Sequence, residues 1–233
     1  MVKAVLFDWF NTLARYDPPR EELHSNLLRE FGIDISPHQL IPGLLAADKF
    51  FFSETARSPI PKRSPDEQFQ LYLRYGEIMF GKVKLNLDKK LVSRIVAKWP
   101  EMQRQMHFVL FEDVLATLEL LRADKLIFGL LTNATRNAVS VQDKLGLKPY
   151  MSFTVTSEEA GVEKPDPAIF LMALEKAGLK ASEAVYVGDQ YEIDVVGARA
   201  AGIKPIMIDR YDLYPEVKDC PRIRNLSELK AYL

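Results

Sequence analysis

At 233 residues the chain is longer than one small core needs and fits a main domain with a second one inserted. With 48% hydrophobic and 27% charged residues it has the composition of a globular protein, which excludes disordered, collagen-like and coiled-coil classes. Its 31 basic and 32 acidic side chains leave a formal charge of -1 and no global field for nucleic acid or anionic lipid, and the lone Cys220 excludes a disulfide framework or a multi-cysteine zinc site. The opening MVKAVLFDWF has an apolar run too short for a signal peptide and broken by Asp8, and no later stretch reaches membrane-spanning length. The expectation is a cytoplasmic protein with no membrane or nucleic-acid partner.

In chain order, the first apolar run, Ala4 to Phe7, reads as a buried strand. Residues 16–105 then have a helical texture, with Leu23, Leu27, Leu28 and Phe31 at helical spacing, as are Phe69, Tyr72 and Leu73. Pro59, Pro61 and Pro65 break this stretch into antiparallel helical halves. It reads as an inserted all-helical cap, with linkers near Leu13 to Pro19 and Gln103 to Phe111. Beyond it, apolar runs at Leu126 to Leu131, Ser152 to Thr156, Ala184 to Val187 and Pro205 to Ile208 alternate with helical patterns. Asp166 as N-cap, Pro167 at the first helical position and Gly178 after the last turn delimit one helix, and Gly146 and Gly202 repeat the stop signal. Alternation of this kind builds an α/β fold with a doubly wound parallel sheet, formed by residues 1–15 and 106–233, and ligands bind such sheets at the strands' carboxyl ends.

Four features fall at those ends. Asp8 follows the first strand directly. Thr132 and Asn133 follow LIFGLL, where a hydroxyl and backbone amides can hold an anionic oxygen. Lys164, in GVEKPDP, precedes a capped helix, where an ammonium adds to the helix N-terminus in neutralising developing negative charge. Gly188-Asp189 and Asp194 follow AVYV, and two carboxylates beside a strand end suit a hard cation such as Mg2+. Taken singly, each feature has a bland counterpart: a turn-capping aspartate, a helix cap, a solvated lysine, acids matched to a helix dipole.

Together and in this order, FDWFNTL, LLTN, EKPDP and VGDQYEID resemble the haloacid dehalogenase superfamily over residues 1–15 and about 106–210, and the helical insert resembles that family's cap. The resemblance implies a hydrolase in which Asp8 attacks an electrophilic centre, phosphorus in the phosphatase members, to form a covalent aspartyl intermediate. It further implies that Asp8, Thr132 and Lys164 are catalytic. Asn11, Thr132, Asn133 and Lys164 would bind a small, phosphorylated substrate, and Asp8, the Phe10 backbone carbonyl, Asp189 and Asp194 would hold Mg2+. Removing Lys164 is expected to cost catalysis and spare the fold, because an anion-stabilising charge acts mostly on the transition state.

Phe10 departs from the phosphatase pattern, which has a second aspartate there to protonate the leaving group. The 2-haloacid dehalogenases of the same superfamily also carry an aromatic residue at that place, so a dehalogenase is the alternative. Its acid-free fourth motif and carboxylate-gripping cap arginine are not evident, since GLLAADKFFF offers Lys49 instead. A catalytically weak binding or regulatory protein is a further alternative. An acid from elsewhere would come from the cap near Glu21, Glu22 or His24. His24, His38 and His107 otherwise read as surface residues, and Trp9, Trp99 and the Phe50, Phe51, Phe52 run as packing groups.

Overall fold

The structure, a computed structural model, describes residues 1–133 and 142–233. The chain divides into two compact units, one of Met1–Arg15 and Val109–Leu233, the other of Tyr16–Phe108. In chain order the strands are β1 (Ala4–Phe7), β2 (Ala14–Asp17), β3 (His107–Leu110), β4 (Ile127–Thr132), β5 (Phe153–Thr156), β6 (Ala184–Gly188), β7 (Lys204–Ile208) and β8 (Arg222–Ile223). The described α-helices are α1 (Arg20–Glu30), α2 (Pro37–Arg57), α3 (Pro65–Lys82), α4 (Lys89–Val96), α5 (Trp99–Gln103), α6 (Val114–Arg122), α7 (Ser157–Ala160), α8 (Pro167–Ala177) and α9 (Val196–Ala200).

In the first unit six strands form one parallel sheet in the order β5-β4-β1-β6-β7-β8. The order reverses at β1, so the crevice of this doubly wound sheet lies at the carboxyl end of β1, between β4 and β6. Every residue of β1 is buried, as expected of a central parallel strand read from a continuous apolar run. Alternation sends Ala4 and Leu6 to one face, where they join Ile169, Phe170 and Ala173 of α8. Phe7 meets Phe128 edge-on, ring centres 6.0 Å apart. The α8 punctuation is as the sequence implies: Asp166 Oδ1 accepts from the Ala168 N–H at 2.9 Å, and Gly178 closes the helix at φ 66° while the Leu179 N–H reaches back to the Leu174 carbonyl.

The second unit is helical, α1 to α5, around a core that includes Leu28, Leu40, Met79, Phe80 and Ile95. Ser64 caps α3, and its hydroxyl accepts from the Glu67 N–H while the Glu67 carboxylate accepts from the Ser64 N–H at 2.7 Å. Phe51 stacks on Tyr72 and meets Tyr75 edge-on, tying α2 to α3. Within the two linkers, β2 and β3 pair as a two-stranded sheet. One expectation is corrected. His24 is not at the surface: it is 5% exposed, its ring edge-on to Trp99 at 5.3 Å, whereas His38 and His107 are exposed.

Candidate active site

The loop after β1 begins with Asp8, whose N–H bonds the Val187 carbonyl of β6 at 2.8 Å and so fixes its backbone to the neighbouring strand. One carboxylate oxygen, Oδ1, accepts from Lys164 Nζ at 2.5 Å, and the other lies 3.3 Å from the donating Thr12 hydroxyl. The loop is secured from outside by Arg210, which donates to the Thr12 carbonyl through Nη2 at 2.8 Å and through Nε at 3.2 Å. The Arg210 guanidinium also pairs with Asp113 at 3.0 Å and lies 3.9 Å from the centre of the Phe111 ring. Asn11 adopts a left-handed φ of 60°, is 4% exposed, and lies close enough to the Asp189 carboxyl to favour its ionised form.

Lys164 is 3% exposed, against the bland expectation of a solvated lysine before a helix. Its peptide is hooked by Asn133, whose Oδ1 accepts from the Lys164 N–H at 2.7 Å while Nδ2 donates to the Lys164 carbonyl at 2.9 Å. The Asn133 side chain, expected to meet substrate, therefore holds the lysine loop. Thr132 ends β4 and is 5% exposed. The three ammonium protons of Lys164 go to Asp8 Oδ1, to Asp194 Oδ1 at 2.8 Å and to the Tyr186 hydroxyl at 2.9 Å.

Asp189 leaves the end of β6, and Asp194 sits one turn on, in the π-helical turn Tyr191–Val195, a widening of the helix that often marks functional positions. Its Oδ2 accepts from the Gln190 N–H at 3.0 Å. Gly188 is needed here for its missing side chain, because a Cβ at that position would overlap the Asp194 carboxyl group. Asp8, Asp189 and Asp194 each present a carboxylate oxygen within 4.8 Å of the others, all buried, and Asp189 Oδ1 has no hydrogen-bond partner among the described residues.

Crowding sets the protonation. Burial, opposed by Lys164 and assisted by Asp194, raises the Asp8 carboxyl to about 6. Burial, then the charges of Asp8 and Asp194, push Asp189 well above the ordinary carboxylate range. Burial alone would lower the Lys164 ammonium, but Asp194 and Asp8 outweigh it and hold the lysine charged. Loss of Lys164 would leave the buried Asp8 and Asp194 carboxylates without their cation, so its removal is expected to cost stability as well as catalysis. In the cap, burial and then Arg20 depress His24 to about 3, so at neutral pH its imidazole is neutral.

The sequence-predicted residues Asp8, Lys164, Asp189 and Asp194 thus meet at one point, Asn11 and Asn133 support it, and Phe10, partly buried, lies in the turn after Asp8. Thr12 falls within the FDWFNTL motif but was given no role there, and Arg210 carried no sequence signal. No described helix is long and apolar enough to cross a membrane. The chain is 33% identical to a glyceraldehyde 3-phosphate phosphatase of Methanopyrus kandleri, over 90% of this chain and 85% of that one. Among solved structures, an HAD phosphatase from Thermococcus onnurineus superposes with a TM-score of 0.58 at 25% identity, over 99% of this chain and 97% of that one. A 2-haloacid dehalogenase from Pseudomonas syringae gives 0.55 at 27%, with the same coverage. The family profile described as haloacid dehalogenase-like hydrolase matches residues 2–202, and the chain belongs to that family of hydrolases.

Proposed function

We propose that this hydrolase is a Mg2+-dependent phosphatase of a small phosphorylated metabolite, acting through an aspartyl-phosphate on Asp8. The observation that carries this reading is the buried carboxylate triad of Asp8, Asp189 and Asp194 around the Lys164 ammonium. With all three acids ionised, a single ammonium leaves two negative charges uncompensated in a buried site, which a divalent cation would neutralise. The donor set is all oxygen, suited to a hard cation, and the unpartnered Asp189 Oδ1 fits a ligand role. Asp8, Asp189, Asp194 and the Phe10 carbonyl would hold it. When bound, Mg2+ supplies charge stabilisation at the phosphoryl oxygens and draws the substrate anion toward a site that would otherwise repel it.

The chain's own groups do the rest. Asp8 attacks phosphorus, the bond to the leaving oxygen breaks, and water then attacks the aspartyl-phosphate to release phosphate and restore the carboxylate. Lys164 holds Asp8 in place and neutralises charge on the transferred oxygens together with Thr132. A dehalogenase reading fits less well. Asp189 and Asp194 would repel a haloacid's carboxylate, and the Arg20 guanidinium at the start of α1 is engaged through both terminal nitrogens by Asp48 at 2.8 and 2.6 Å.

The test is phosphate release from a panel of small phosphate esters. Turnover should require Mg2+ and vanish on chelation, and full rate after exhaustive chelation, or halide release from 2-haloacids without phosphate release, would overturn the reading. A second expectation concerns pH. A carboxyl raised in the folded state stabilises it most below the unfolded value of 3.8, and that contribution is lost as pH rises through about 6. Mg2+ competes with the same proton, so its increment to the melting temperature should grow from pH 5 to pH 7. An increment independent of pH would mean that Asp8 is not a ligand.

Phe10 gives a third expectation. A phenylalanine cannot protonate a leaving group, so aryl, acyl and anomeric phosphates should turn over well and simple alkyl phosphates slowly, with a steep dependence on leaving-group pKa. Restoring an acid by Phe10→Asp should flatten that dependence and raise alkyl phosphate turnover by part of the ~10²- to 10⁴-fold that general acids contribute. Equal rates on aryl and alkyl esters, with chemistry rate-limiting, would show that an acid comes from elsewhere.

A further inference from the structure

Tyr186 lies inside β6, fully buried, three residues before Asp189. Its ring packs edge-on against Phe170 of α8, centres 4.9 Å apart, in the cluster that includes Leu6, Leu131 and Ile169. A phenylalanine would fill that space equally well, and burying a hydroxyl in such surroundings is unfavourable unless it is hydrogen-bonded. The hydroxyl is bonded twice: it accepts from Lys164 Nζ at 2.9 Å and donates to Asp194 Oδ1 at 2.9 Å. With the 2.8 Å contact between Lys164 Nζ and Asp194 Oδ1, the three groups close a triangle.

Two of the three acceptors around the ammonium are carboxylates, and both belong to the triad that would ligate a cation. Recruitment of those carboxylates to a dication would weaken their hold on Lys164. The phenol is the neutral partner, anchored by its ring in the core, and it would keep its bond to the ammonium through that exchange. From this geometry we infer that Tyr186 is a positioning residue that tethers Lys164 and Asp194 so that the ammonium stays aimed at Asp8 during phosphoryl transfer. The assignment rests on the phosphatase reading for its kinetic consequence, but not for its effect on cation binding.

The test is Tyr186→Phe, which removes one oxygen and keeps the ring against Phe170. For a partner of this kind, kcat should fall about 10- to 100-fold with KM within about threefold, and Mg2+ affinity by isothermal titration should weaken about tenfold. The melting temperature of the variant, measured alongside, should stay within a few degrees of wild type, about what one lost hydrogen bond produces. A loss of kcat or of Mg2+ affinity in a folded variant supports the tether. Unchanged kcat and unchanged affinity overturn it, as does a loss of activity that only tracks the folded fraction as temperature is varied. Should wild-type protein release no phosphate, the phosphatase reading fails and the Mg2+ titration decides the tether alone: equal affinity in both proteins, or binding by neither, overturns it.

Discussion

Asp8→Asn should lower phosphate release by at least about 10⁴-fold, the scale on which loss of a covalent nucleophile acts, while leaving the protein folded. The amide matches the carboxylate in size, so the Asp8 N–H bond to Val187 and the turn through Thr12 are kept. The buried Lys164 ammonium loses one of two anionic partners but retains Asp194. Circular dichroism and a melting curve check the fold, and a coupled phosphate assay checks the rate. Turnover within tenfold of wild type would remove Asp8 from the mechanism.

Lys164→Met is expected to act on rate and fold together. Removing a preorganised charge that faces the developing anion costs about 10²- to 10³-fold in kcat. The ammonium is also the partner of two buried carboxylates, at 2.5 and 2.8 Å, and breaking such a buried pair typically costs about 3–5 kcal/mol. The loss should be largest near pH 7.5 without metal. It should shrink near pH 5, where Asp8, raised to about 6, takes up a proton, and Mg2+ should restore part of it. Urea melts at both pH values, with and without Mg2+, measure this directly. A metal-free variant as stable as wild type at pH 7.5 would mean that Lys164 does not hold the carboxylates together.

The strands that carry the site were legible because each is a short apolar run stopped by a glycine or a polar residue. Ala4–Phe7 coincides with its run, and β4 to β7 differ from theirs by about a residue at either end. The polar residues just past those runs are the ones that converge. What was not legible is non-local. Lys164 reads as exposed beside its own neighbours, and its ammonium is instead held by contacts 156, 30 and 22 residues away, to Asp8, Asp194 and Tyr186. Tyr186 looks like any strand aromatic until its hydroxyl is seen between those groups. Pairing of β2 with β3 joins segments on opposite sides of the helical insert, and β8, two residues long, has no apolar run to announce it. His24 did have a signal. Leu27 and Leu28 stand three and four residues on, which places the imidazole on the buried face of α1.

The central claim is that phosphate passes through Asp8, and the direct measurement is an acid quench within milliseconds of mixing wild-type protein, Mg2+ and a radiolabelled aryl or acyl phosphate, followed by peptide mapping. Label is predicted on the peptide that contains Asp8, forming and decaying at rates consistent with turnover, and absent without Mg2+ and in Asp8→Asn. Turnover with no label on that peptide at any time, or equal label in Asp8→Asn, would contradict the account.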